Sequence, residues 1–102
     1  MKRNLDLPLR DLEGQPYKDD TTLKTIIFTA VAASLEEDRS LSAKEKMQLY
    51  GFAQIAHKGG IAEFSAEDLA LIKARVAKVF PVLVIGATFK LLEEELPVEK
   101  KE

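Results

Sequence analysis

Residues 42–68, with the sequence SAKEKMQLYGFAQIAHKGGIAEFSAED, decide most of the fold of this chain. The segment opens and closes on similar signals, Ser42-Ala-Lys-Glu45 and Ser65-Ala-Glu-Asp68. In each, a hydroxyl can cap a helix and an acid three residues later can reach back to the capping residue. Gly59-Gly60 lies between them and is typical of the end of a helix. The segment therefore predicts one helix, a connection and the start of another helix.

Hydrophobic periodicity extends this pattern on both sides. Apolar residues recur at the helical period before and after the segment, and Pro81 lies where one helix would end and the next would begin. The predicted helices cover residues 21–35, 43–58, 66–80 and 81–95, and residues 97–102 are predicted to form a flexible tail. The first of these helices is apolar on nearly all sides, so we expect it at the centre of a bundle.

The first residues of the chain have a different pattern. Leu5, Leu7 and Leu9 alternate with polar residues or proline, which is the period of a half-buried strand. We predict a short hairpin over residues 3–18 that packs on the helices, since two strands alone are not stable in water. The expected fold class is mainly α, a compact bundle of about four helices with a short N-terminal β-hairpin. No repeat or linker divides the chain, so residues 1–102 are expected to form a single domain.

Composition excludes several classes of protein. The chain has 102 residues, of which 46% are hydrophobic and 31% charged, and its formal net charge is −2. This balance argues against a dedicated nucleic-acid or membrane-surface binder. The absence of cysteine excludes disulfides, thiolate metal sites and thiol nucleophiles. Because no apolar run approaches the roughly 20 residues of a membrane span and no signal peptide is recognisable, we expect a cytoplasmic protein that makes no membrane contact.

The sequence shows no catalytic, cofactor or metal constellation. His57, the only histidine, has no nucleophile or orienting acid beside it in a known motif, and we interpret it as a favourable group at a helix C-terminus. The acidic loops lack the ligand spacing and glycine of a calcium site. Gly59-Gly60 lacks the Walker pattern, and no serine lies in a nucleophile elbow. We therefore predict no catalytic residues, no cofactor and no metal, in a protein that is not an enzyme.

Basic residues on two of the predicted helices leave nucleic-acid binding open as an alternative. They are Lys44, Lys46 and Lys58 on the second helix and Lys73, Arg75 and Lys78 on the third. A recognition helix presents polar and basic groups at its N-terminal end. The third helix instead opens with Glu67 and Asp68, and the connection before it is longer than the usual tight turn. Nucleic acid is therefore the weaker alternative for a partner.

The acidic run Glu93-Glu94-Glu95 opposes a local rule, because it places negative charge at the negative end of a helix. A solvated, frayed helix end is the simpler explanation. The alternative is that the three glutamates form a contact surface for a basic partner. They are the interaction residues that the sequence singles out.

Short structural motifs cover most of the chain: Leu5-Asp6-Leu7, Asp11-Leu12-Glu13-Gly14-Gln15-Pro16, Thr22-Leu23-Lys24, Ser42-Ala-Lys-Glu45-Lys46, Phe64-Ser65-Ala-Glu-Asp68-Leu-Ala-Leu-Ile72-Lys73 and Phe80-Pro81-Val-Leu-Val-Ile-Gly86. Their order resembles that of small uncharacterised proteins from the structural gene clusters of tailed bacteriophages and prophages. The resemblance implies a non-enzymatic accessory protein of tail or head–tail assembly, in the host cytoplasm or on the virion. Its partner would be a phage structural or assembly protein, or a second copy of itself. The alternative function is that of a phage-encoded, nucleic-acid-linked regulator.

Overall fold

The computed structural model describes residues 1–17 and 21–93, and these residues form four α-helices and a two-stranded antiparallel sheet. The helices are α1 (Leu23–Ala32), α2 (Ala43–Lys58), α3 (Ala66–Val79) and α4 (Val82–Glu93), and a 3₁₀ helix covers Glu36–Ser40. The strands are β1 (Lys2–Asn4) and β2 (Ile61–Glu63). The predicted fold class, a mainly α bundle with a short N-terminal β element, is confirmed.

Both capping boxes form as predicted. Ser42 Oγ accepts a hydrogen bond from the backbone N–H of Glu45 at 3.1 Å, and the Glu45 carboxylate accepts one from the N–H of Ser42 at 2.8 Å. Ser65 and Asp68 make the same reciprocal pair, with both bonds at 3.0 Å. Each box satisfies N–H groups that the start of a helix leaves without partners. α2 and α3 therefore begin at the predicted residues.

The connection from α2 to α3 is held against the N-terminal segment. Gly59 and Gly60 have positive φ angles of 74° and 78°, which glycine adopts without steric cost. The N–H of Gly59 donates to the carbonyl of Ile55 at 3.1 Å and closes the last turn of α2. The N–H of Gly60 donates to Asp6 Oδ1 at 3.2 Å. The predicted helix stop is confirmed, and the chain leaves it as β2.

The predicted hairpin over residues 3–18 has a different strand pairing in the structure. β1 pairs with β2, which lies almost sixty residues later, and not with the residues that follow the first turn. The tip of that hairpin is present: the N–H of Asp11 donates to the carbonyl of Gln15 at 2.8 Å, and Arg10 and Pro16 form an isolated antiparallel bridge. Pro8 and Pro16 cannot donate hydrogen bonds to a ladder. The local hairpin therefore does not extend, and β2 provides the partner strand.

Three helices differ from their predicted bounds. α1 was predicted over residues 21–35 but ends at Ala32, because Ala33 is extended, with ψ of 146°. α3, predicted over residues 66–80, ends at Val79, and α4, predicted to begin at Pro81, begins at Val82. The predictions that fall on residues 18–20 and 94–102, including Glu94, Glu95 and the tail, lie outside the described residues.

α1 lies at the centre of the bundle, as predicted, and contacts α2, α3 and α4. Leu5 and Leu9 of the N-terminal segment are fully buried beside it. Arg3 of β1 is 3% exposed and donates from Nε to the carbonyl of Leu92, near the end of α4. The N-terminal segment thus both completes the core and binds α4. Within the described part of the chain, no helix is long and apolar enough to cross a bilayer.

Candidate functional site

A buried arginine organises the region where α1 ends. Arg75 of α3 is 6% exposed. Its Nε donates to the carbonyl of Ala30 at 3.2 Å, and its Nη2 donates to the carbonyl of Ala33 at 2.8 Å. Its Nη1 donates to Asp38 Oδ1 at 2.6 Å. Because the last carbonyls of a helix have no partners within the helix, the guanidinium caps α1 and the carboxylate balances its charge.

Asp38 holds the 3₁₀ helix against this cap. Its Oδ2 accepts a hydrogen bond from the backbone N–H of Leu35 at 3.1 Å, so both carboxylate oxygens are engaged. The hydrogen bond from Arg75 is the main reason why the pKa of Asp38 is lowered from its ordinary value of 3.8. From the sequence, Arg75 was grouped with the basic residues of α3, and its role as a helix cap was not predicted. The available signal was its spacing, three residues after Ile72 in the apolar stripe of α3.

The ordered end of α1 forms one wall of a groove, which we call the α1–α2 groove. It has a volume of about 650 Å³ and lies between the end of α1, the 3₁₀ helix and the first half of α2. Tyr50 of α2 lines it and is 57% exposed. Charged side chains of both signs also line it, including Arg39. Its apolar surface is formed by Val31, Leu35, Leu41, Leu49 and Ala53. Aromatic residues and arginine on an apolar floor are typical of surfaces that bind proteins.

A second groove is lined by the N-terminal segment and α4, and we call it the α4 groove. It has a volume of about 560 Å³ and lies between the turn at residues 10–14 and α4. Three of its lining side chains are large, apolar and mostly exposed: Leu12 (89%), Val82 (76%) and Leu83 (56%). Residues far apart in the sequence thus form one exposed apolar patch. Neither the alternating pattern of the N-terminal segment nor the helical pattern of α4 indicates this patch by itself.

The structure places one residue of the predicted acidic contact surface. Glu93 is the last residue of α4, and its Oε2 accepts a hydrogen bond from Lys73 Nζ at 3.0 Å. The same lysine nitrogen lies 5.4 Å from the centre of the Phe89 ring. Glu93 is therefore paired within the chain. The remaining two glutamates, Glu94 and Glu95, lie outside the described residues, and the contact surface stays a prediction.

The basic residues of α3 do not form an open basic face. Arg75 is buried in the cap of α1, and Lys73 pairs with Glu93. Lys78 lies close enough to Asp38 to contribute to the lowering of its pKa. The lysines of α2 are exposed: Lys44, Lys46 and Lys58. The alternative of nucleic-acid binding therefore depends on the exposed lysines of α2.

His57 lies in the last turn of α2, as predicted from the sequence. Its ring centre lies 6.3 Å from that of Phe28 on α1, with an angle of 49° between the planes. In residues 1–17 and 21–93, no three side chains of histidine, cysteine, aspartate or glutamate are grouped so that they could hold a metal ion.

No family model matches this chain, and neither the curated proteins nor the solved structures include a match to it. The resemblance to phage structural-cluster proteins therefore depends on the motifs of the chain alone and stays a prediction.

Proposed function

We propose that the protein is a non-enzymatic accessory protein of phage or prophage particle assembly, which binds a structural or assembly protein in the α1–α2 groove. The observation that supports this most is the groove itself. It has an apolar floor, and the contact of Arg75 with Asp38 fixes its wall. A fixed wall lowers the conformational entropy lost on binding.

The partner would insert apolar side chains against Leu35 and Leu49 and would pack on Tyr50. Tyrosine is among the residues that contribute most to binding energy in interfaces. The charged groups at the groove, Glu36, Arg39 and Lys46, would fix the orientation of the partner more than its affinity, because exposed charges act mainly on specificity and association rate.

Co-expression tests the proposal. The chain is produced with each protein encoded beside it, and the complexes are isolated and quantified by calorimetry. Tyr50→Glu should weaken binding by roughly a hundredfold, since a charge replaces a buried aromatic contact. Gln48→Glu is the matched control, because it adds the same charge at an exposed position of α2 that does not line the groove.

Three results would contradict the proposal. The first is that no neighbouring gene product binds. The second is that a complex forms with equal affinity to the Tyr50→Glu and Gln48→Glu proteins. The third is that charge reversal of residues 93–95 abolishes binding while Tyr50→Glu does not, which would assign the contact to the acidic run. Thermal unfolding of each variant establishes that it is folded.

The alternative, a nucleic-acid-linked regulator, depends on the exposed lysines of α2. The same preparation tests it on immobilised DNA. Retention on DNA that weakens steeply with salt would indicate phosphate contacts. If replacing Lys44 and Lys46 by glutamine abolished this retention, the nucleic-acid-linked function would be favoured over the assembly function.

A further inference from the structure

The α4 groove supports an inference that does not depend on the α1–α2 groove. We propose that it is a self-association surface, at which two copies of this chain pair about a twofold axis. The patch contains an apolar protrusion and a matching recess, together with charges of both signs. A surface that carries both halves of a contact is what a twofold, isologous interface requires.

Leu12 provides the protrusion. It lies at the tip of the turn that follows the N-terminal segment, with 89% of its surface exposed. The turn is braced on both sides of this residue. Asp11 Oδ1 accepts hydrogen bonds from the N–H groups of Glu13 and Gln15, both at 2.9 Å, and Arg10 Nη1 donates to the carbonyl of Gly14 at 2.9 Å. The backbone that carries Leu12 is therefore held in one conformation before it meets a partner, which favours binding.

Gly86 provides the recess. It is exposed on α4 and lines the same groove as Ala87 and Leu83. A Cβ atom added at Gly86 would meet nothing within 4 Å. Glycine is unfavourable inside a helix, and its presence at an exposed position suits the close approach of another chain. The small residues leave room on α4 for a side chain of the size of leucine.

Two exposed side chains of opposite charge, Glu13 beside the α4 groove and Lys90 in its lining, can complement one another across a twofold axis. Glu13 follows Leu12, and Lys90 lies one helical turn after Gly86 on the same face of α4. Among the described residues, neither Glu13 nor Lys90 forms a salt bridge. In the proposed pairing, Leu12 of one copy lies over Gly86 of the other and Glu13 faces Lys90, and the symmetry makes the same contact twice.

Charge exchange tests this arrangement. The association of the wild-type protein is measured by light scattering and sedimentation equilibrium over roughly a hundredfold range of concentration, where mass action shifts a monomer–dimer equilibrium. Glu13→Lys and Lys90→Glu should each weaken the dimer by roughly tenfold or more, since like charges then meet. The double variant should restore the wild-type dissociation constant to within about threefold, because the pair is re-formed with its signs exchanged.

Filling the recess tests the shape of the contact. Gly86→Leu should abolish the dimer while the monomer stays folded, because Gly86 is exposed and a Cβ added there meets nothing within 4 Å. Ala74→Leu is the control, since it enlarges an exposed position of α3 that lines neither groove. A wild-type protein that is monomeric throughout the concentration range would overturn the proposal. So would a double charge variant that fails to restore the dimer, or a Gly86→Leu protein that dimerises like the wild type.

The two proposals fail separately. Tyr50→Glu should leave the dimer unchanged, and Gly86→Leu should leave binding in the α1–α2 groove unchanged. Loss of both activities in either variant would contradict the assignment of two independent surfaces.

Discussion

Replacing Arg75 by methionine removes the group that caps the end of α1 and keeps a side chain of comparable length. Three carbonyls of the α1 end lose a donor, those of Ala30, Val31 and Ala33, and Asp38 loses its cationic partner. Ala30 is fully buried, so water cannot replace the guanidinium at its carbonyl. The Asp38 side chain is 20% exposed and can regain some hydration.

Two physical terms set the size of the effect. Removing one partner of a buried ion pair costs about 3–5 kcal/mol, and each buried acceptor left without a donor costs about 1–3 kcal/mol. Because Asp38 is partly hydrated in the variant, we expect the lower part of this range, about 3–4 kcal/mol in the free energy of unfolding. A domain of this size is stable by only about 5–15 kcal/mol, so the melting temperature should fall by roughly 10–30 °C.

Urea unfolding followed by far-ultraviolet circular dichroism measures this change. The midpoint should fall with little change in the slope, which indicates that the same surface is exposed on unfolding. Lys73→Met is the control on the same helix. Its ion pair with Glu93 is exposed, with side-chain exposures of 25% and 62%, and such pairs contribute at most about 1 kcal/mol.

Arg75→Lys keeps the charge but not the planar set of donors, so its stability should lie between those of the wild type and Arg75→Met. If the methionine variant does not fold, the lysine variant carries the comparison. The reasoning would be refuted if replacing Arg75 destabilised the protein no more than replacing Lys73, because the cap would then contribute nothing that a surface ion pair does not.

Four further substitutions have effects of known direction. Because the pKa of Asp38 is lowered in the folded protein, its ion pair stabilises the fold fully above about pH 4, and this stabilisation is lost as the pH falls through the lowered pKa. Asp38→Asn should therefore remove this acid-dependent loss of stability from urea unfolding curves. An unchanged dependence of stability on pH would contradict this account. Ser65→Ala should reduce the free energy of unfolding by about 1 kcal/mol through loss of its cap, and a change near zero in urea unfolding would speak against the capping box. Gly51→Ala should stabilise α2 by about 0.5–1 kcal/mol, because a Cβ there meets nothing within 4 Å. Gly59→Ala should destabilise the protein, because φ is +74° and the new Cβ would lie 2.8 Å from a carboxylate oxygen; equal effects of the two substitutions would refute this account of the turn.

The middle of the chain could be predicted from sequence because its determinants are local. α2 runs over residues 43–58, as predicted. The Ser42 cap and Gly59 lie within a few residues of the ends they define, and each acts through a hydrogen bond or a backbone angle of its own segment. Such signals do not depend on the rest of the fold.

The N-terminal strand shows where local signals are insufficient. The alternation of Leu5, Leu7 and Leu9 indicated extended chain, but the period of a strand carries no information about its partner. The partner of β1 is β2, brought near by the bonds of Gly60 to the N-terminal segment: its N–H donates to Asp6, and its carbonyl accepts from Leu5. The local hairpin is thus limited to the residues around its turn, and β1 pairs with a distant segment.

The candidate surfaces could not be predicted, because they are made by segments that meet only in the folded chain. Arg75 and Lys73 have the same charge in the sequence, yet one is buried in a helix cap and the other pairs at the surface. Leu12 and Leu83 belong to unrelated motifs and line one groove. The spacing of residues in the sequence indicates neither the different surroundings of Arg75 and Lys73 nor the groove that Leu12 and Leu83 share.

The sequence by itself determined where the helices begin and end around residues 42–68, since caps and positive-φ glycines act over one turn of backbone. It also determined the mainly α class, through the helical period of the apolar residues. The tertiary structure decided which strand pairs with β1, where α1 ends, and which apolar side chains remain exposed together. These depend on burial and on hydrogen bonds between distant segments, because a side chain is desolvated only by the neighbours that the complete fold places around it.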